Sequence, residues 1–575
     1  MFTFNELKKK AKGEQGVTSG TTNIALLCDT ASQFLHLAIK GTGLCSNVSY
    51  KIWEADYNQI DHEVFNIDSN LNSSPHDYII VLRSSEHLLN AFYKTELSAR
   101  SSFADSQIEY LQSLLNQITS KCKSKIILNT YFELNDAVFG NYSTKVKSSF
   151  LYQVRLLNVA LMKLAEENKN LYLLDMAAIV AHRGYTSSFD SKLYIGSDIA
   201  YNLDVLPTIA QNIHSIIQSI NGQFKKCLIL DLDNTMWGGI IGDDGMQGIQ
   251  IGDLGIGKAF TEWQRWIKEL KQRGIILAVC SKNTEDIAKE PFENHPDMEL
   301  RLDDISIFVA NWENKVDNIR YIQSVLNIGF DSMVFLDDNP FEREMVKQGI
   351  PEITVPDLPE DPAEYLNYMR AQNLFETASF TEEDTERTKL YREEAKRTVF
   401  QKSFANEAEF LQSLYMKSEV APFNTFTIPR AAQLTQRSNQ FNLRTKRYTE
   451  TQVSEMVNSP NYFTLSFTLE DKFGNHGLIS IVILQKENND VLFIDTWIMS
   501  CRVLKRGVER FTLQCIIETA QQNGFSYLAG EYLTTSKNGM VKNHYSDLGF
   551  KSEGDKWILN IDNTTIANRP FISKK

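Results

Sequence analysis

The sequence predicts a multi-domain chain with two α/β domains followed by one α+β domain. Its 575 residues are too many for one compact core, since a domain typically holds roughly 150 residues. Over residues 21–222, and again over residues 223–375, apolar runs of strand length alternate with helical patterns, which is typical of a parallel sheet covered by helices. Over residues 376–575, strands rich in Val, Ile, Phe and Thr predict an antiparallel meander followed by a helix.

The composition favours small molecules or proteins as partners. With 72 acidic and 59 basic residues the net charge is −13, which disfavours binding to nucleic acid or to an anionic membrane. Residues 1–20 form a polar leader without the apolar core of a signal peptide, and no apolar run approaches the roughly 18 residues that span a bilayer. The seven cysteines include no CxxC pair, so we expect neither structural zinc nor disulfides. We therefore expect a cytoplasmic location.

The predicted first domain has the alternating strands and helices of a hydrolase fold, but it lacks the histidine that serves as the base in such hydrolases. The strand NIALLCDT places Thr30 where esterases of the SGNH/GDSL type carry their nucleophilic serine. Where that fold carries Asp-x-x-His, this chain has Pro207, which takes no proton from a hydroxyl. The resemblance implies an SGNH-like, flavodoxin-like domain that is noncatalytic, with His182 as the alternative base. Arg83, beyond another strand end, is a candidate contact for an anion.

The segment CLILDLDNTMWGG predicts a reactive site in the central domain. A buried strand delivers Asp231 and Asp233 to its carboxyl end, where ligands bind in parallel α/β sheets. Two carboxylates on alternate residues of a buried strand are unfavourable unless a cation or a reaction uses them. Later strands end in Ser281 and Lys282, after GIILAVC, and in the acidic pair 337–338, after MVFL.

These motifs, in this order, resemble those of the haloacid dehalogenase (HAD) superfamily of phosphotransferases. The resemblance implies that Asp231 attacks phosphorus to give an aspartyl phosphate and that Asp233 is the general acid and base. A carboxylate attacks without losing a proton, and a second carboxyl group carries the proton, so this division is chemically sound. It further implies that Ser281 and Lys315 hold the phosphoryl oxygens together with Thr235, Lys282 and Asn283, and that Mg²⁺ is bound by Asp231, Asp233 (through its main-chain carbonyl), Asp337 and Asp338.

The spacing of the motifs leaves little room for an inserted lid. The separations are 50 residues from Asp231 to Ser281, 34 from Ser281 to Lys315 and 22 from Lys315 to Asp337. We therefore predict a Rossmann-like HAD domain without a large cap, whose open site suits a large or protein-borne substrate. The charged run at residues 381–397 predicts a solvated helix that joins this domain to the next.

The last domain resembles the GNAT N-acyltransferases. In SCRVLKRGVE, Arg502 and Gly507 match the acetyl-CoA loop of that family, whose helix start offers backbone amides to a pyrophosphate, and Lys505 replaces a glycine. In HYSDLGF, Tyr545 is a candidate acid for a departing thiolate, or else a core aromatic of a fold that does not use CoA. Cys501 is a candidate acyl-accepting thiol, or else an inert cysteine.

Taken together, these motifs with LTQRSNQFNLRTKRY and FGNHGLIS resemble the FkbH-like (HAD-IIIC) family over about residues 20–560. The family resemblance implies loading of a glyceryl unit from 1,3-bisphosphoglycerate onto an acyl carrier protein with removal of phosphate, in secondary-metabolite or surface-polysaccharide pathways. The expected cofactors are Mg²⁺ and a CoA or phosphopantetheine thioester. Candidate contacts to the acyl donor or carrier are Arg437, Asn439, Gln440, Asn442, Arg444 and Arg447.

Three other functions remain open on the sequence. The first is a plain Mg²⁺-dependent phosphatase acting on a phosphorylated sugar or other metabolite. The second is an acyl-CoA-dependent N-acyltransferase with an ancillary HAD domain, and the third is a nonenzymatic scaffold.

Overall fold

A computed structural model describes residues 2–13, 21–380, 384–401, 404–438, 441–500, 503–535, 538–561 and 571–575. The chain forms two compact units, Met1–Gln218 and Ser219–Lys575. No helix in the described part of the chain is both long and apolar enough to cross a membrane. The cysteines described, at positions 28, 45, 122, 227, 280 and 515, are all free thiols.

The first unit is built on a five-stranded parallel sheet with the strand order β2-β1-β3-β4-β5. The strands are β1 Thr21–Cys28, β2 Ser49–Glu54, β3 Tyr78–Leu82, β4 Lys125–Asn129 and β5 Leu171–Leu174. The helices are α1 Phe4–Lys12, α2 Gln33–Cys45, α3 Ile60–Phe65, α4 Asn70–Ser73, α5 Ser85–Lys94, α6 Phe103–Lys121, α7 Phe150–Glu167, α8 Met176–Arg183, α9 Tyr185–Ser188, α10 Ser191–Ser197 and α11 Leu206–Ile220. This is the predicted flavodoxin-like arrangement.

Part of the expected polar leader is the helix α1. Its cap at Thr3 forms a reciprocal capping box with Glu6, and Phe4, Leu7 and Ala11 are buried. Their i, i+3, i+7 spacing places these side chains on one face of the helix. The lysines between them led to the expectation of a polar, solvent-exposed segment. The main chain of Leu7 lies so close to Gly41 of α2 that a side chain at that glycine would collide with it.

A buried histidine makes the first unit sensitive to acid. His214 of α11 contacts the hydroxyl of Tyr50 on β2 through Nδ1 at 2.7 Å. Burial lowers the pKa of His214 from 6.5 to about 4. As pH falls below 6.5 the unfolded chain binds this proton before the folded unit does, so stability is complete above that pH and is lost as pH falls toward 4.

We expect this histidine to remove roughly 2–3 kcal/mol of stability between pH 7 and pH 4.5. Hydrogen exchange of β2 in the full chain should show the loss. His214→Gln should flatten the pH dependence, whereas His182→Gln, at an exposed position of α8, should leave it unchanged. Equal pH profiles for the wild type and His214→Gln would show that His214 does not carry the effect.

The second unit begins with a four-stranded parallel sheet in the order β8-β7-β6-β9. Its strands are β6 Cys227–Leu230, β7 Ile276–Ser281, β8 Ile305–Ala310 and β9 Met333–Leu336. The accompanying helices are α12 Ile241–Gly248, α13 Gly255–Gln272, α14 Glu285–Asn294, α15 Lys315–Leu326, α16 Pro340–Gly349, α17 Tyr365–Gln372 and α18 Arg387–Gln401. Apolar side chains on both faces of the strands form two buried clusters, one of which includes Trp237 and Trp263.

A large, mostly antiparallel sheet follows, in the order β16-β17-β15-β14-β13-β12-β10-β18, with β11 paired to β12. Its strands are β10 Met416–Ser418, β11 Val420–Ala421, β12 Tyr462–Asp471, β13 Gly474–Lys486, β14 Val491–Met499, β15 Tyr527–Gly530, β16 Lys551–Glu553, β17 Lys556–Asn560 and β18 Ile572–Lys574. The helices are α19 Glu407–Ser413, α20 Thr427–Arg437, α21 Glu450–Val457, α22 Val508–Gln522 and α23 His544–Asp547. The predicted meander is β12-β13-β14, and α22 crosses over to the parallel strand β15.

The helix α18 was expected to be solvated, and that expectation is wrong. Tyr391 is buried in the core of the four-stranded sheet, and the main-chain carbonyl of Thr388 lies 3.4 Å from the hydroxyl of Ser306 on β8. Arg397 is only 1% exposed and pairs with Asp471 at the end of β12. The helix therefore packs between the two sheets of the second unit.

Candidate active site

Three neighbouring strands and one helix start bring the predicted residues of the central domain together. Asp231 directly follows β6, Asp337 directly follows β9, and Ser281 ends β7. Since β6 lies between β7 and β9, these residues share the carboxyl edge of the sheet. Lys315 opens α15, whose N-cap Asn314 accepts a hydrogen bond from the main chain of Asp317.

Lys315 bridges two of the carboxylates. Its Nζ lies 3.0 Å from Oδ1 of Asp231 and donates to Oδ2 of Asp337 at 2.6 Å. Burial alone would lower the pKa of Lys315, but the charges of Asp231 and Asp337 outweigh burial and raise the pKa above its ordinary value. The lysine is therefore a fixed positive charge beside Asp231, where an incoming phosphoryl oxygen would be stabilised.

Asp231, Asp337 and Asp338 form a set of oxygen ligands. One carboxylate oxygen from each lies within 4.8 Å of the others. Burial, and next the charge of Asp231, raise the pKa of Asp337 to about 7 and also raise the pKa of Asp338. One lysine does not balance three acids, and hard oxygen ligands suit a divalent cation such as Mg²⁺, which would favour the charged carboxylates. The residues present therefore fit the predicted metal.

The hydroxyl of Thr235 holds Asp338 in place. It donates to Oδ1 of Asp338 at 3.3 Å and accepts from the main-chain amide of Asp338 at 3.1 Å. The sequence predicted Thr235 as a phosphate contact. Its observed partners show that it positions the carboxyl group of Asp338, one of the predicted metal ligands, and the phosphate contact stays a prediction.

Asp233 is oriented by three donors. Its Oδ1 accepts from Nε1 of Trp237 at 2.9 Å and from the amide of Ile241 at 3.0 Å, and its Oδ2 accepts from Nδ2 of Asn283 at 2.8 Å. Burial and the charge of Asp231 raise the pKa of Asp233, while these hydrogen bonds act in the opposite direction. A fixed carboxyl group of raised pKa is suited to carry a proton.

Sequence reasoning missed Trp237 and assigned Asn283 to phosphate. The signal for Trp237 was its place four residues after Asp233, in the turn that begins at Asn234 with φ of 55°. Lys282, also expected at the phosphate, pairs with Glu342 at 2.6 Å and is partly exposed. The structure thus places Lys282 beside the site, where the carboxylate of Glu342 neutralises its charge.

We expect Asn283→Ala to lower kcat for phosphate release about tenfold with little change in KM. The substitution removes one of the three donors that orient Asp233, and misorientation of an acid–base group slows proton transfer more than it weakens binding. Steady-state kinetics with a small phosphomonoester measures the effect. Asn294→Ala, at the exposed end of α14, is the matched control. An unchanged kcat in Asn283→Ala would show that this hydrogen bond is not needed.

No additional domain is inserted over the site. The chain between Asp231 and Ser281 contains a turn, a β-bridge between Gly238 and Gln250, α12, α13 and β7. The chain between Ser281 and Lys315 contains α14, a short 3-10 turn and β8. The predicted absence of a large cap is therefore confirmed.

Ion pairs and hydrogen bonds within the fold hold the described part of the loop that was expected to bind CoA, residues 503–507. Gly507 has φ of 79° and caps α22, and the amide of Lys505 donates to Oε1 of Glu509 at 3.0 Å. Arg506 is buried and pairs with Glu394 of α18. Cys501 and Arg502 lie outside the described residues.

The expected carrier contacts whose side chains the structure describes, Asn442, Arg444 and Arg447, all bond within the fold. Arg444 donates to Glu531 at 2.8 Å and to Asp495 at 2.7 Å, and Asn442 accepts from the amide of Thr445 and donates to the carbonyl of Ser438. Arg447 donates to main-chain carbonyls of α20. The side chain of Arg437 and residues 439–440 lie outside the described part. The observed contacts of Arg444 favour a structural role over recognition of a carrier.

Tyr545 lies in the core of the last domain. It is 1% exposed, its hydroxyl has no hydrogen-bond partner among the described residues, and burial raises its pKa. The ring lies against Gly530, where a Cβ would collide with it. This placement favours the core-aromatic interpretation over a role as acid for a departing thiolate.

In the first unit, the structure shows no imidazole hydrogen-bonded to Thr30 within the described part of the chain. Nδ1 of His87 lies 3.6 Å from the carboxylate of Asp29, which follows β1. His182 is exposed on α8. Among the residues that the structure describes, therefore, no histidine is hydrogen-bonded to Thr30 to take its proton.

The chain is similar to a known family and to solved structures. The family model described as FkbH, N-terminal domain, matches residues 23–218. Among solved structures, the chain is similar to the N-terminal part of BF1531 from Bacteroides fragilis, which contains a phosphatase domain complexed with Mg. The two are 50% identical, with a TM-score of 0.64 over 66% of this chain and 100% of that one. The chain belongs to the FkbH-like family. Its central domain is a HAD-type phosphatase domain.

Weaker likenesses involve acetyltransferases. The ribosomal-protein-S18-alanine N-acetyltransferase of Escherichia coli is 17% identical over 26% of this chain and 99% of that chain, with a TM-score of 0.21. The spermidine N-acetyltransferase of Vibrio cholerae, in complex with CoA and spermine, is 12% identical over 25% of this chain and 96% of that chain, also with a TM-score of 0.21. A comparison with curated proteins gave no match.

Proposed function

We propose that this FkbH-like protein is a Mg²⁺-dependent phosphatase coupled to acyl transfer, which loads a glyceryl unit onto an acyl carrier protein. The observation that carries the proposal is the buried bridge from Lys315 to Asp231 and Asp337, beside an oriented Asp233. This arrangement presents a nucleophile, a phosphoryl-oxygen contact and an acid–base group at one sheet edge. The Mg-bound phosphatase relative supports the same metal here.

In the proposed reaction, a carboxylate oxygen of Asp231 forms a bond to phosphorus as the bond to the substrate oxygen breaks. The carboxyl group of Asp233 gives its proton to that leaving oxygen. Asp233 then takes a proton from water, whose oxygen attacks phosphorus and releases inorganic phosphate and free Asp231. Lys315 and Ser281 hold the phosphoryl oxygens throughout.

The residues that would hold Mg²⁺ are Asp231, Asp337, Asp338 and the main-chain carbonyl of Asp233. When bound, the cation supplies positive charge that neutralises the transferring phosphoryl group. Thr235 keeps Asp338 in position for this role through its two hydrogen bonds.

For the acyl half, we propose 1,3-bisphosphoglycerate as donor and Cys501 as the first acceptor. The thiolate of Cys501 would attack the acyl carbon and expel the acyl phosphate as inorganic phosphate. The thioester would then pass to the phosphopantetheine thiol of a carrier protein, which gives up its proton. The resemblance of the segment SCRVLKRGVE to the acetyl-CoA loop of the GNAT N-acyltransferases supports this half of the proposal.

The test is the mass of the carrier protein after incubation with Mg²⁺ and 1,3-bisphosphoglycerate. The wild type should add a glyceryl group. Asp231→Asn should add a phosphoglyceryl group, because acyl transfer persists while the phosphate stays. Cys501→Ala should add nothing, whereas Cys515→Ala, which removes another thiol of the same domain, should behave as the wild type.

A different pattern would favour a simpler function. Turnover of small phosphoesters with no mass increase on any cognate carrier would identify a plain phosphatase. A carrier that is acylated equally by Cys501→Ala would show that the acyl group moves directly and that the thiol relay is wrong.

A further inference from the structure

Arg343, in the first turn of α16, reaches back to the turn that carries the acidic pair of the metal set. The helix begins at Pro340, two residues after Asp338. Helical side chains lean toward the N-terminal end of their helix, so Arg343 is directed at this turn. Its Nη1 carries two hydrogens and donates to the main-chain carbonyl of Asp337 at 2.9 Å and to that of Asp338 at 2.6 Å.

The two carbonyls explain why an arginine lies at this position. Arg343 is buried, and within the described structure its guanidinium donates no other hydrogen bond. Its ion pair with the exposed Asp357 is long, at 3.7 Å from Nε to Oδ1. The dipole of a helix opposes a cation in its first turn, by roughly 0.3–1 kcal/mol. Charged hydrogen bonds to two carbonyls offset that cost.

The other ends of the same two peptide groups are also held. The carbonyl of Asp337 belongs to the peptide group whose N–H, that of Asp338, donates to the hydroxyl of Thr235 at 3.1 Å. The carbonyl of Asp338 belongs to the next peptide group, whose N–H, that of Asn339, donates to Oδ1 of Asp337 at 2.9 Å. Two consecutive peptide groups are thus bonded at both of their ends.

Bonds at both ends of these groups fix the main chain of Asp338. A peptide group is planar, so the two groups that flank one Cα set its only two soft dihedral angles. Those angles set the direction in which the carboxyl group of Asp338 leaves the chain. Thr235 also donates to that carboxyl group, at 3.3 Å from Oδ1. Arg343 and Thr235 therefore hold the same ligand, from opposite ends of one peptide group.

We propose that Arg343 is a positioning residue for the metal site, which keeps the carboxyl group of Asp338 facing Mg²⁺ by fixing the two peptide groups around it. Arg343 acts through the main chain of the ligands and not through contact with the metal. Without its bonds, Asp338 turns more freely, and ordering it then costs part of the free energy of Mg²⁺ binding. The inference rests on the Mg²⁺ site of the proposed function and is independent of the acyl half.

Hydrogen exchange in the full chain, with EDTA present, tests this role without the metal. In Arg343→Met the amides of Asp338 and Asn339 should exchange at least about tenfold faster than in the wild type, since each peptide group loses a bond to a charged donor. Exchange along β7 should not change, because that strand lies outside the turn. Unchanged exchange at the two amides, or an equal rise in β7, would overturn the proposal.

Two further variants accompany this measurement. Arg265→Met is the matched control, since that exposed arginine of α13 pairs with Glu299 at 2.7 Å, and it should exchange as the wild type does. Arg343→Lys keeps a cation and should fold even where Arg343→Met does not. One ammonium replaces the planar guanidinium, so the same two amides should exchange faster in Arg343→Lys, by a smaller factor. Wild-type exchange in Arg343→Lys, if Arg343→Met does not fold, would overturn the role.

Calorimetric titration with MgCl₂ measures the consequence for the metal. Arg343→Met should bind Mg²⁺ at least about fivefold more weakly than the wild type and Arg265→Met, while kcat at saturating Mg²⁺ stays within about twofold. Adding Thr235→Val to Arg343→Met should weaken binding by less than the product of the two single losses, because both act on one peptide group. Wild-type affinity in Arg343→Met, or losses that multiply, would overturn the positioning role. No Mg²⁺ binding by the wild type would refute the proposed metal site instead, and the metal-free exchange still decides whether Arg343 holds the turn.

Discussion

Asp231→Asn should reduce phosphate release by about 10³-fold or more, because the amide no longer offers the anionic oxygen that attacks phosphorus. The change is nearly isosteric and leaves a side-chain oxygen that can still face the metal. The loss of activity therefore measures the loss of the nucleophile and not a change in the shape of the site. Release of inorganic phosphate from a small phosphomonoester, at saturating Mg²⁺, is the measurement. Asp253→Asn makes the same change of charge at an exposed position of this domain and should retain wild-type activity.

A comparison with Asp338→Asn separates the nucleophile from a metal ligand. Loss of one of the three metal-facing carboxylates should weaken Mg²⁺ binding, so that raising the Mg²⁺ concentration restores much of the activity of Asp338→Asn. No Mg²⁺ concentration should restore Asp231→Asn. Rescue of both variants by Mg²⁺, or full activity of Asp231→Asn, would mean that Asp231 is only a ligand and that the nucleophile lies elsewhere.

The sequence located the reactive edge because strand ends are a local property. Buried apolar runs followed directly by Asp231, Ser281 and Asp337 predict residues at the carboxyl ends of parallel strands, and the sheet order brings those ends together. The partners of Asp233 were not predictable in the same way. Trp237 reaches it across a turn, and Asn283 reaches it from a different strand end, so both contacts depend on tertiary placement.

Charge was the least predictable feature. Lys282 and Arg444 were expected to face ligands, yet each pairs with an acid that is distant in the sequence, Glu342 in one case and Asp495 in the other. A sequence gives the sign of a side chain's charge, but it does not show whether an opposite charge already pairs with that side chain in the fold.

The helix α18 shows how a charged pattern conceals burial. Its mixed charges at helical spacing indicated a solvated face, but Arg397 is buried and donates to Oδ2 of Asp471 at 2.8 Å and to Oδ1 at 3.0 Å. Glu394 and His476 also contact this arginine. Burial would raise the pKa of Asp471, but the hydrogen bonds from His476 and Arg397 outweigh it and hold that pKa well below its usual range. The helix is therefore joined to the last sheet by a buried, nearly complete polar network.

We expect Arg397→Met to destabilise the second unit by about 3–5 kcal/mol, because it leaves Asp471 buried without its main counter-charge. Hydrogen exchange of β12 and β13 in the full chain, across a urea series, reports the loss where it occurs. Arg392→Met, on the same helix, removes a more exposed arginine that pairs with the exposed Asp303. That control should change stability by no more than about 0.5 kcal/mol.

The pH dependence gives the same network a second readout. Since the folded-state pKa of Asp471 is depressed, its contribution is complete above the unfolded-state value of 3.8 and is lost as pH falls below it. The wild type should therefore lose stability in β12 and β13 below about pH 4. Arg397→Met should lose less there, because only His476 and the more distant Arg506 then favour the charged form of Asp471. Replacing both partners, as in Arg397→Met with Asp471→Leu, should recover part of the loss, because no buried charge is then left unpaired. Equal destabilisation by Arg397→Met and Arg392→Met would show that burial of α18 does not depend on this network.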